Sequence, residues 1–157
     1  MGLVKFDTSE LKRLEKYLSD KKKIDKFFED LTKEVATVVL SSAIMLTPVD
    51  TGELRRGWTG GVEKNPKDYI FNNKRVSKIG NSYKITLSNG LKYAEYVNYG
   101  HRQEVGRYVP TIGKRLVKPW VEGQYMLEKS INQAEAVLPD VCKRKTEEFL
   151  KSVFKIK

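Results

Sequence analysis

The sequence predicts an α+β fold: a small antiparallel sheet packed by a long N-terminal amphipathic helix and a C-terminal helix, with a long central loop. Three observations lead there. Apolar residues recur every three or four positions from Ile24 to Leu46, the period of one helix face. The centre then changes to short runs with the period of strands, as in the alternation of Tyr83, Ile85 and Leu87 with Lys84 and Thr86. A helical pattern returns after Gly123.

Taken in order, Asp7-Thr8-Ser9-Glu10 offers caps for a first short helix carrying Leu11, Leu14 and Leu18. Asp20 and the three lysines after it read as a polar break. The long helix follows, with Ile24, Phe27, Phe28, Leu31, Val35, Val38, Val39, Ser42 and Leu46 on the face expected to pack on a sheet. Pro48 ends it, because proline has no N–H and disfavours helical geometry at Thr47. Asp50, Thr51 and Gly52 have turn chemistry, so residues 47–58 read as a hinge between two kinds of structure.

Residues 58–62, 68–71, 76–79 and 83–87 read as strands. Gly80-Asn81 is a hairpin turn between two of them, and Gly60-Gly61, Asn65-Pro66, Asn72-Asn73 and Asn89-Gly90 supply further loops. Tyr93, Tyr96 and Tyr99 are spaced for one helical turn, ended by Gly100. Residues 101–121 are basic, contain Gly and Pro and lack a clear period; they read as a long loop, a length that in a compact domain usually goes with function. Residues 123–137 resume a helix, which Pro139 kinks or restarts as a final helix with Val141, Phe149 and Val153. The expectation is one domain over 1–157, with helical extensions at 1–22 and 139–157.

Composition narrows the class. The chain is 39% hydrophobic and 32% charged, which predicts a soluble globular protein. Residues 1–10 lack the apolar core of a secretory signal, and the most apolar run, 35–49, is too short to cross a bilayer, so no membrane partner is expected. The single cysteine, Cys142, excludes an internal disulfide and fits a reducing compartment. Of the net charge of +10, residues 51–120 carry +9, from 14 Lys and Arg against five acids. That excess predicts a surface that meets nucleic acid or an acidic protein, or else a solvated basic face.

Catalytic chemistry finds little support. His101 is the single histidine and Cys142 is distant in sequence; no His/Cys/Asp cluster has metal-ligand spacing, and no phosphate-binding glycine loop is present. Pro48-Val49-Asp50 could open a metal-nuclease site, but no acid after Asp50 is followed two residues later by lysine. No cofactor is therefore expected. Nucleic-acid binding is the stronger rival: Arg55, Arg56, Lys74, Arg75, Lys78, Arg102, Arg107, Lys114, Arg115 and Lys118 are candidates for phosphate contacts, and Tyr93, Tyr96 and Tyr99 for base stacking. Such tyrosines more often serve cores and subunit interfaces.

Three separated pieces carry a family resemblance: Thr47-Pro48-Val49-Asp50-Thr51-Gly52-Glu53-Leu54-Arg55, Tyr93-Ala94-Glu95-Tyr96-Val97-Asn98-Tyr99-Gly100 and Gly123-Gln124-Tyr125-Met126-Leu127. In this order, between two amphipathic helices, they resemble the head–tail joining or tail-completion proteins of long-tailed phages and prophages, over about residues 24–138. The resemblance implies an α+β, non-enzymatic subunit that forms a ring in the virion neck, between the portal-side connector and the tail. Six-fold symmetry is the expectation and twelve-fold the alternative. Implied partners are other copies of the chain, adjoining neck, connector and tail-terminator proteins, and transiently packaged DNA; assembly would occur in the bacterial cytoplasm. Candidate interface residues are Asp50, Thr51, Glu53, Arg55, Arg56 and Trp58 in the hinge, Tyr93, Tyr96 and Tyr99, and Arg102, Arg107, Lys114, Arg115 and Trp120 in the long loop. Arg55→Glu or Trp58→Ala is expected to leave the monomer folded and block assembly. The competing expectations are a nucleic-acid-binding module using residues 51–120 and a small hydrolase around His101.

Overall fold

The computed structural model describes residues 9–62 and 64–154, apart from the side chain of Glu10. Asp7 and Thr8, expected to cap the first helix, lie outside the described residues. Helix α1 (Ser9–Leu18) turns Leu14 and Tyr17 toward the rest of the protein and leaves Leu11 and Leu18 exposed. The Tyr17 ring meets Phe149 edge-on at 5.1 Å, which seats α1 on the last helix.

Helix α2 (Lys21–Leu46) begins where Asp20 accepts a hydrogen bond from the Lys22 N–H and ends at Thr47, whose extended backbone (ψ 123°) leads into Pro48. Its buried residues are Glu34 and, on the opposite side of the helix, the core face of Ala36, Leu40 and Ala43. The main partner of the helix is α6 (Met126–Phe154), with α4 (Pro66–Asn73) and strand β2 (Ser82–Lys84) alongside. Pro139 lies inside α6, which runs on to Phe154. Glu34 ties three helices together: its carboxylate lies 3.0 Å from Lys67 of α4, 3.2 Å from Lys145 and 3.7 Å from Arg144 of α6. Burial pushes this carboxyl up, but the hydrogen bonds from Lys67 and Lys145 outweigh burial and hold it below the ordinary glutamate value.

Two expected strands are not strands. Residues 68–71 belong to α4, because Asn65 is an N-cap that accepts from Lys67 N (2.9 Å) and Asp68 N (3.4 Å), and Pro66 fills the first helical position. Residues 58–62 form a turn after the short helix α3 (Glu53–Gly57), with Gly60 and Gly61 at positive φ. The 76–79 and 83–87 runs do pair, as the hairpin of β1 (Ser77–Ile79) with β2, although the ladder stops at Lys84. Beyond it Ile85 and Leu87 pack on the core without strand partners.

Helix α5 (Ala94–Tyr99) ends at Gly100, as the tyrosine spacing and the glycine predict. The long central stretch then folds back on itself. Strand β3 (Gly100–Arg102) pairs antiparallel with β6 (Trp120–Glu122), and β4 (Tyr108–Val109) pairs with β5 (Lys114–Arg115) further out. Hydrogen bonds from Gln103 N to Pro119 O, and between Leu116 and both Gly106 and Arg107, bridge the two ladders. Residues 100–122 are thus a hairpin arm, closed at its tip by a 3₁₀ turn (Pro110–Ile112) and Gly113. Among the described residues the strands form three separate two-stranded ladders. The core between them is chiefly helical: Ala36, Leu40 and Ala43 of α2 meet Leu54, Trp58, Ile70 and Met126.

Candidate functional site

The three sequence pieces that carry the resemblance meet in space. In the first, Thr47 is buried and its hydroxyl both donates to Ala43 O (2.6 Å) and accepts from the Trp58 indole N–H (2.9 Å). Arg55 Nε donates to Thr47 O at 3.0 Å, and Arg56 donates to Thr51 O at 3.3 Å. The end of α2 and the whole of α3 are therefore locked together across the turn at Gly52, whose φ of 76° suits glycine. Asn89 closes the same unit from the other side, donating to Leu54 O (2.7 Å) and accepting from Leu91 N (3.1 Å).

The second and third pieces are joined by Asn98, which is 7% exposed. Its side-chain oxygen accepts from Leu127 N (3.2 Å), in the first turn of α6, and its amide donates to Glu128 (2.9 Å). The backbone adds Gln124 N to Val97 O and Tyr125 N to Asn98 O. Burial raises the Glu128 carboxyl, but the Asn98 and Tyr99 hydrogen bonds overcome that and keep it below the ordinary value; the Tyr99 phenol, bonded to Glu128, is pushed up. The chains cross so closely that a Cβ on Gly123 would lie 2.4 Å from Asn98 O, and one on Gly100 2.4 Å from Val121 O. Gly100 also has a φ of 84°. This crossing fixes the angle at which the arm leaves the body.

The first and second pieces share a groove of about 370 Å³ lined by Pro48, Val49, Asp50, Glu53, Tyr93 and Val97, and the Tyr93 hydroxyl donates to Glu53 at 3.3 Å. Asp50, Thr51, Glu53 and Tyr93 are exposed at this groove, and Tyr96 and Tyr99 are exposed further along α5. Tyr99 meets Tyr125 edge-on and Tyr96 meets His101. Arg102 and Trp120 face each other in the β3–β6 register, at the base of the arm. Arg107, Lys114 and Arg115 are exposed further along it.

Trp58 does not belong with these surface residues. It is 5% exposed and packed among Leu40, Leu54 and Ile70, so its loss would disturb the fold itself. Arg55, half-buried on Thr47, likewise has a structural bond to lose. Asn89 and Asn98 are site positions that no sequence signal marks, although Asn98 lies inside the second piece. Among the described residues no group of three or more His, Cys, Asp or Glu is placed to hold a metal ion, and no helix is long and apolar enough to cross a membrane.

What this geometry defines is a small α+β body with a braced tyrosine-rich face and a basic arm held at a set angle. Comparison with protein families matches residues 11–100 to the HK97-gp10-like family, described as “Bacteriophage HK97-gp10, putative tail-component”. The chain belongs to this family of phage tail components. No curated protein and no solved structure matches it.

Proposed function

We propose that this tail-component protein acts at the virion neck, as a non-enzymatic subunit of a ring that joins the capsid-side connector to the tail. The observation that carries the reading is the arm, built on the braced crossing of α5 and α6, with Val105, Tyr108, Ile112 and Val117 between 53% and 79% exposed. Apolar groups held out on a fixed support favour contact with another protein. A head-to-tail ring requires two unlike lateral surfaces, of which the arm is one; the Tyr93–Tyr96–Tyr99 face is left for an adjoining neck protein. The basic residues interleaved on the arm would speed encounter with acidic faces of adjoining rings and set register.

The test is genetic. Cells producing particles without this protein should accumulate heads and tails that fail to join, and supplying the chain from a second copy should restore joining. Joined, infectious or otherwise complete particles in its absence would refute the reading.

A further inference from the structure

Away from the tyrosine face lies an open apolar groove of about 560 Å³. Val35 and Val39 of α2 line it, with Ile85 and Leu87 beyond β2, and Ile131 and Leu138 of α6. Among the lining residues Lys84 is the one charged group. Ile131 and Leu138 are 41% and 37% exposed, so among the described residues nothing closes the groove on the α6 side.

The same chain carries apolar groups that match it. In the β4–β5 register Tyr108 lies opposite Arg115, and Val117 follows two residues beyond Arg115 on the same limb of the arm. Val117 is 79% exposed and Ile112, at the tip, 58%; among the described residues nothing covers either of them. The outer ladder packs mainly on itself. The arm's two limbs are roughly ten residues each and reach at most about 30 Å where extended, enough to span a neighbouring helix pair.

Charge agrees with shape. Residues 100–122 carry Arg102, Arg107, Lys114, Arg115 and Lys118 against Glu104 and Glu122. On the groove's α6 wall the exposed Glu135 lies one turn from both Ile131 and Leu138. A basic arm with apolar side chains thus has a counterpart in an apolar groove with an exposed carboxylate, Glu135, at its α6 rim. Because arm and groove are different surfaces of one chain, their pairing between copies is heterologous and propagates around a ring.

We infer that the arm of one copy docks in the α2–α6 groove of the next, with Val117 and Tyr108 against Ile131 and Leu138. The inference rests on the ring reading above and names its lateral contact.

Disulfide trapping in particles tests it. Producing cells would make two versions of the chain, both Cys142→Ser, one with Val117→Cys and the other with Ile131→Cys; both positions are exposed, so neither change disturbs the core. Mild oxidation of purified particles should give a cross-linked pair in at least about tenfold greater yield than Val117→Cys with Lys151→Cys, because docking raises local concentration. A ring visible in the particles without that cross-link would overturn the arm-in-groove contact and leave the ring standing. Particles with neither ring nor cross-link would overturn both.

Discussion

Replacing Trp58 with alanine removes a side chain that is 5% exposed and donates its indole N–H to Thr47 at 2.9 Å. An aromatic side chain buries about 150–250 Å², worth about 4–6 kcal/mol at about 25 cal/mol per Å². The unfolded chain already hides part of that area, which brings the figure down to about 4 kcal/mol, within the range of about 3–5 for Trp or Phe to Ala in cores. Since domains of this kind have only about 5–15 kcal/mol in hand, Trp58→Ala should lower the melting temperature by about 10 °C or leave the chain unfolded. The hydrogen bond can be separated from the packing with a cycle. Trp58→Phe keeps most of the ring, Thr47→Val keeps the shape, and the double variant removes both partners; the coupling should be about 1 kcal/mol, measured by urea denaturation followed by circular dichroism. A Trp58→Ala protein with the midpoint of the natural chain would refute the buried position of the indole. It would also reinstate the sequence expectation that this substitution blocks assembly without harming the fold.

Asn98→Ala should cost about 1–2 kcal/mol by removing the bond to Leu127 N in the first turn of α6, and Asn98→Asp should cost more at neutral pH than at acid pH, because it sets a second carboxylate against Glu128; chemical denaturation at both pH values checks this. Gly100→Ala, with its Cβ 2.4 Å from Val121 O, should loosen the arm, seen as faster amide exchange and proteolysis within residues 101–121. Glu34 has a depressed folded-state pKa, so its contribution is present above its ordinary value of 4.5 and is lost as pH falls below that; Glu34→Gln should cost about 2 kcal/mol at pH 7 and flatten the acid side of the stability profile. Duplex DNA should bind only weakly at physiological salt, and tight binding that weakens steeply with added salt would favour the nucleic-acid reading of residues 51–120.

The parts of the fold legible in the sequence are those fixed by local rules. Helix α2 follows from its apolar period, Pro48 and Thr47 mark its end, Gly80-Asn81 turns the β1–β2 hairpin, and Gly100 stops α5. Helix α4 was hidden because Tyr69-Ile70-Phe71 has strand-like composition; the decisive signal was Asn65-Pro66, an N-cap and first helical position that looks like any loop dipeptide. The arm was hidden for a different reason. Both of its faces are largely exposed, with Tyr108 and Arg115 opposite each other on one of them, so no apolar–polar alternation marks its strands. Trp58 could not be told from an interface tryptophan, because both settings favour a large aromatic and the deciding contact is a hydroxyl eleven residues earlier. The convergence of the three family pieces was likewise invisible, since it depends on Asn98 reaching Leu127 across 29 positions.

The most direct test of the central claim is electron microscopy of particles from producing cells with a label on this subunit. Density for the label is expected at the head–tail junction, in a closed ring whose symmetry can be counted. Mature particles without the label, or with it only away from that junction, would contradict the neck role.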